Sequence, residues 1–143
     1  MPANDFSIGK DIGFTVVGPY GGLVFNGVTD YSAKKDDSVL KHKGIDGLTR
    51  HAVLPDAWEV SIKLERQDPT VDRFFARLEA DHFAGANIKG GTIVETIKEV
   101  DGTVSQYRYE NVVLKMDGAG DYKGDSFVPV SLTAYASRRV FVA

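Results

Sequence analysis

The chain contains no cysteine among its 143 residues. Disulfide frameworks, cysteine-ligated zinc and thiol nucleophiles are therefore excluded, so packing or assembly must hold the fold. A basic excess is also missing: 17 lysines and arginines face 20 aspartates and glutamates, a net charge of −3. A general nucleic-acid binder normally shows the opposite balance. That balance does not exclude a wall past which a polyanion slides, because such a wall should not grip. No apolar run approaches the roughly 20 residues of a bilayer-spanning helix. Residues 1–11 are polar and mixed in charge, without the basic start and apolar run of a signal peptide, and read as a loose arm. The expectation is a protein made and folded in a cytoplasm, with no membrane partner.

What remains is the balance of an ordinary globular chain, with 43% hydrophobic and 26% charged residues, long enough for one domain over 1–143. No internal repeat or low-complexity tract divides it. Period-two alternation dominates. In Trp58-Glu59-Val60-Ser61-Ile62-Lys63-Leu64-Glu65 the apolar residues take one face, and Glu59, Ser61, Lys63 and Glu65 take the other. Earlier, Phe14–Val17 and Leu23–Phe25 are short strands split by the turn Gly18-Pro19-Tyr20-Gly21-Gly22. Asn26-Gly27 signals a hairpin into a strand over 28–33.

Residues 34–56 differ: Lys34, Lys35, Asp36, Asp37, Lys41, His42 and Lys43, with breakers Gly44, Gly47 and Pro55, form an extended polar loop or hairpin projecting from the body. One helix is predicted from Asp68 as N-cap and Pro69 at the first helical position to a glycine cap near Gly85. Its apolar stripe is Val71, Phe74, Phe75, Leu78 and His82.

The second half returns to strands. Thr92–Val100 and Thr103–Glu110 flank Asp101-Gly102, a type I′ turn signal. Val112, Leu114 and Met116 alternate with Val113 and Lys115. After glycine-broken 117–125, a strand over 126–138 places Val128, Val130, Leu132, Ala134 and Ala136 on one face, with Phe127, Ser131, Thr133 and Tyr135 on the other. Pro129 implies an edge or bulge there. The total is a mainly-β α+β domain of six to eight strands and one helix.

Candidate chemistry is sparse. His42, His51 and His82 form no metal-binding pattern. Asp117, Asp121 and Asp125 are spaced for a cation loop, but Ala119 stands where an EF-hand needs a ligand. The glycines at 118, 120 and 124 miss the dinucleotide-binding spacing and lack a strand-to-helix turn. No serine sits in a GxSxG elbow. The pair Arg138-Arg139 is expected to meet a neighbouring subunit's carboxylates or solvent, and most aromatics to face the core. These readings assign no catalytic residue, metal or cofactor.

Several stretches carry a resemblance. Leu-Val-Phe-Asn-Gly-Val-Thr-Asp-Tyr-Ser (23–32), Lys-Gly-Ile-Asp-Gly (43–47), Trp-Glu-Val-Ser-Ile-Lys-Leu-Glu-Arg (58–66) with Val71-Asp72-Arg73-Phe74-Phe75, and Asp101-Gly102-Thr103 through Arg139 resemble tail tube proteins of contractile-tailed phages. These proteins are related in fold to the tube protein of type VI secretion systems. The resemblance implies an antiparallel β-sandwich or half-barrel with one flanking helix. It implies homohexameric rings whose sheets join around a lumen and stack into a tube that conducts double-stranded DNA during ejection. It also implies sheath, baseplate and terminator partners and a place in the virion. The inter-ring candidates are Lys34, Lys35, Asp36, Asp37, Lys41, Lys43 and Arg50. Glu59, Ser61, Lys63 and Glu65 face either the lumen or the sheath, and a mildly acidic lumen is expected. Two alternatives stand beside this reading. One is a baseplate tube initiator or secretion-type tube protein. The other is a small ligand-binding or hydrolytic β domain, which would need a deep pocket with convergent polar groups.

Overall fold

The computed structural model describes residues 12–23, 25, 27–87 and 90–142. The N-terminal arm and Asn26 lie outside the described residues. The elements in chain order are β1 (Ile12–Gly18), β2 (Gly21–Leu23), β3 (Val28–Lys43), β4 (Thr49–Glu65), α1 (Thr70–Phe83), β5 (Gly91–Lys98), β6 (Val104–Gly118), β7 (Pro129–Ala136) and β8 (Arg138–Phe141). All ladders are antiparallel, in the order β2-β1-β5-β6-β7-β4-β3, with β8 also on β6. Among the described residues the two ends of this path are not joined to each other, so the described sheet is not closed into a barrel.

Strand β6 organises the fold. Its first half pairs with β5 on one side and β8 on the other, and its second half pairs with β7. Between them Asn111 adopts φ 54°, and the register against β5 slips between Gly91 and Ile93. An extra residue in one strand bends it and redirects its partners. Asparagine tolerates this left-handed conformation. The partner breaks at the same level: Ser137 donates its N–H to the Glu110 carbonyl (2.9 Å) and separates β7 from β8. The single strand expected over 126–138 is therefore shorter, and β8 is a separate element. Gly91 is required at this crossing, because an added Cβ would collide with the Val17 carbonyl oxygen.

The core lies between the two halves. Val60, Ile62 and Leu64 of β4, Val130, Leu132, Ala134 and Ala136 of β7, and Val16, Ile93, Tyr109 and Val112 are buried together. The alternation along β4 thus reports the buried face. Helix α1 lays Val71 and Phe75 on this core, while Phe74 is buried beside Gly18 and Tyr20 and Leu78 is half-buried. His82, expected to close the stripe, is exposed. At the start, Asp68 Oδ1 accepts the Thr70 N–H (3.1 Å), although Pro69 occupies the cap position. At the end, Gly85 at φ 80° lets its own N–H reach the His82 carbonyl and the Ala86 N–H reach that of Asp81. This paired closure satisfies carbonyls the last turn would leave free. The Tyr20 hydroxyl donates to Asp81 and its ring lies under Arg77, tying the β1–β2 turn to the helix.

Two turns differ from expectation. Only Gly102 (φ 91°) is left-handed at the β5–β6 turn, whereas type I′ needs two such residues. Asp101 is instead held by the Thr103 hydroxyl and N–H, which also keep its carboxyl below the usual range. Gly27 closes no β2–β3 hairpin, since the partner of β3 is β4.

Candidate assembly surfaces

Three surfaces emerge: a polar sheet face, a projecting hairpin and unpaired strand edges. The face is the outer side of the sheet formed by β3, β4, β7 and the second half of β6. Register places Lys34, Glu59, Tyr135 and Val113 in one row, Ser32, Ser61, Thr133 and Lys115 in the next, and Asp30, Lys63 and Ser131 in a third. Asp117 accepts a hydrogen bond from the Thr133 hydroxyl and pairs with Lys115 (3.5 Å). Lys34, Lys63 and Lys115 therefore offset Asp30, Glu59 and Asp117. With Glu65 at its end the face carries three cations against four anions, a slight acidic excess. Glu65 lies at the end of this face, opposite Pro129, which begins β7 beyond the last β6 pairing. Proline is tolerated at such a position because no ladder donor is missed.

The hairpin is the continuation of β3 and β4. Its ladder runs unbroken in pairing from Asp37–Pro55 to Lys43–Thr49, after a bulge beside Asp36. The last β4 residue supported by β7 is Trp58. Residues 49–57 then extend roughly 30 Å past that support, at about 3.3 Å per residue. At its turn Asp46 accepts the Leu48 N–H (3.0 Å) and pairs with Arg50 (2.9 Å). Both contacts hold its carboxyl below the usual range. The candidates Lys41, Lys43 and Arg50 lie on this outer part. Lys35, Asp36 and Asp37 lie at its root, with Lys35 and Asp37 paired at 3.6 Å. Lys34 stands across from Glu59 and so belongs to the polar face. The arm is less polar than its sequence suggests. Val39 lies opposite Val53, and Leu40, Leu54, Ile45 and Leu48 are also exposed.

Unpaired edges complete the set. Among the described residues, β3 pairs only with β4, and residues 113–118 of β6 pair only with β7. Beside that β6 edge runs an apolar groove of about 560 Å³ walled by Val17, Pro19, Phe75, Leu78, Phe83 and Val113. A second groove of about 840 Å³ separates β1 from β3. There Phe14 stacks on Tyr31 at 4.4 Å.

Among the described residues one charged side chain, Glu95, is buried within a cluster of polar partners. Glu95, 4% exposed, accepts the Tyr31 hydroxyl (2.8 Å) and the Tyr109 hydroxyl (3.1 Å) on one oxygen. Arg139 donates to its other oxygen at 2.7 Å and lies 3.7 Å over the Tyr107 ring. Burial, then the Glu95 charge, pushes both the Tyr31 and Tyr109 hydroxyls well above the usual tyrosine range. Arg139 therefore meets a carboxylate of its own chain, which neither expected setting gave it, whereas Arg138 is largely in solvent beside Glu110 (3.8 Å). The cluster is internal, although Tyr31 also lines the groove between β1 and β3 and Arg139 Nε is buried without a hydrogen-bond partner. Among the described residues no group of three or more histidines or acids converges for a metal, and no helix is long and apolar enough to cross a membrane. The exposed aromatics include Phe83, Tyr122, Phe127 and Phe141.

With these surfaces in view, comparison with solved structures places the architecture. The chain is similar to a chain of the anti-feeding prophage cap (AFP tube terminating cap), with a TM-score of 0.66 and 12% identity over 100% of this chain and 95% of that one. It is similar to a chain of the sheath-tube complex of an extracellular contractile injection system (PVC), with a TM-score of 0.58 and 13% identity over 91% and 88%. It is also similar to a chain in the virion of the native gene transfer agent particle, with a TM-score of 0.56 and 11% identity over 96% and 100%. The chain has the tail tube fold. No protein-family model and no curated protein matches the sequence.

Proposed function

We propose that this chain is a structural subunit of a tail tube and not an enzyme. Six copies form a ring, their four-stranded sheets join edge to edge around a lumen, and rings stack into a hollow tube that conducts double-stranded DNA during ejection. The observation that carries this reading is the sheet of β3, β4, β7 and β6. It is polar on one face and buried on the other, and both its outer edges lack partners among the described residues. Unpaired edges invite another chain, and a head-to-tail contact that closes makes a ring without leaving an edge. The polar face then lines the lumen. Its slight acidic excess, three cations against four anions, gives little counterion release and hence little grip on a polyanion. The hairpin over 34–56 spans to the adjacent ring, while sheath, baseplate and terminator proteins meet the outside and ends. The particle is assembled in a host cytoplasm and carried in the virion.

A second reading is a tube terminator or a baseplate tube component, which forms one ring and does not extend. The likeness to a chain of the AFP cap, at a TM-score of 0.66, supports it. Electron microscopy of the purified chain distinguishes the readings: stacked tubes mean an elongating subunit, single rings a terminator or initiator. Monomers alone at high concentration would contradict both.

A further inference from the structure

The two ends of strand β4 carry opposite surfaces. β4 is 17 residues long, and its first residue, Thr49, pairs with Lys43 at the hairpin turn. Its last, Glu65, lies opposite Pro129, where the loop 119–128 enters β7. Turn and loop are therefore roughly 55 Å apart at the strand's rise per residue. The turn presents Ile45, fully exposed, and Leu48, 61% exposed, on a rigid loop closed by Gly44 N–H to Leu48 carbonyl (2.9 Å). Around them, three cations (Lys41, Lys43, Arg50) against Asp46 leave a net +2 over 38–54. The opposite end presents Tyr122 and Phe127, 70% and 81% exposed. There, two anions (Asp121, Asp125) against Lys123 leave a net −1 over 119–128. This loop is folded on itself: an added Cβ on Gly120 would lie 2.9 Å from Val128 and 3.1 Å from the Tyr122 ring.

We infer that the loop 119–128 is the receiving surface for the hairpin turn of a second copy of this chain. Ile45 and Leu48 pack on Tyr122 and Phe127, while Lys41 and Lys43 face Asp121 and Asp125. A large apolar side chain held in water at a structured turn is costly unless something covers it. The complementary charge lies at the far end of the same strand, beyond reach of its own turn, so only another copy can satisfy it. The contact is heterologous and repeats along one axis, which makes a stack. This inference rests on the tube reading and adds the partner surface for its hairpin.

The absence of cysteine makes the test direct. Full-length Ile45→Cys chain is mixed with full-length Phe127→Cys chain and oxidised, and the heterodimer is identified by mass. Both positions are exposed, so both variants fold. At least tenfold more heterodimer than from Ile45→Cys with the exposed control Phe83→Cys is expected, and an equal yield would overturn the inference. Charge reversal gives the second arm: Asp121→Lys with Asp125→Lys should lower the heterodimer yield at least tenfold, and adding Lys41→Glu with Lys43→Glu to the other chain should restore it. Reversal without loss, or loss without restoration, also overturns the inference. Cross-linking in a chain that builds neither rings nor tubes would uphold this contact and remove the tube reading. Tubes without the preferential cross-link would do the reverse.

Discussion

The body and the hairpin are built from the same two strands and obey opposite rules. From Trp58 to Leu64, β4 has ladder partners on both sides and alternates buried with outward residues. From Thr49 to Asp56 the same strand has one partner, and every residue is exposed, including Val53 and Leu54. A lone two-stranded ribbon is marginal in water, and here it has no core of its own. The contrast teaches that the body is stabilised within the chain, whereas the hairpin has no such support and, on the proposed reading, is completed by another copy. Polar clusters divide similarly: Glu95 and Arg139 are sealed in the body, while the hairpin's cations face solvent.

That division can be broken by mutation. In the body, Ile62→Ala removes a fully buried side chain and should lower stability by about 2–5 kcal/mol in urea unfolding. Arg139→Ala leaves Glu95 buried without its cation and should cost about 3 kcal/mol by the same measurement, and Glu95→Gln added to it should recover part of the loss. Tyr31→Phe and Tyr109→Phe should each cost about 1 kcal/mol near neutrality. They also sharpen a pH effect. Unfolded tyrosines ionise near pH 10, whereas these two stay protonated when folded, so their stabilisation is complete below about pH 10 and is lost as pH rises beyond it. Unfolding followed from pH 9 upward should fall more steeply for the wild type than for the double phenylalanine variant. Smallest in the isolated chain is Val39→Ser with Val53→Ser, expected to stay within about 0.5 kcal/mol. The same variant should abolish tube formation in micrographs. A large stability loss would mean that the hairpin has support within the chain.

Much of the body is legible in the sequence, because its elements rest on local rules. The alternation in 58–65, the stripe Val71–Phe74–Phe75–Leu78 and the alternating small apolar residues of 130–136 each name their buried face before any coordinates. The Glu95–Arg139 pair is not legible, since 44 residues separate the partners and only the bend at Asn111 and the break at Ser137 bring β8 beside β6. The assembly surface is half legible. Glu59, Ser61 and Lys63 follow from period two, but their neighbours Asp30, Lys115 and Tyr135 follow from register, which single-strand periodicity does not set. The exposed pairing of Val39 with Val53 escapes for the same reason: each looks isolated among charges until the ladder places them opposite.

The central claim is that the unpaired edges of one sheet are completed by other copies of the chain. Negative-stain imaging of the purified full-length protein across a concentration series tests it most directly. The account predicts six-fold annuli with an open centre, stacked into tubes at higher concentration. Isolated globular monomers at every concentration, with and without a preformed ring as seed, would contradict it.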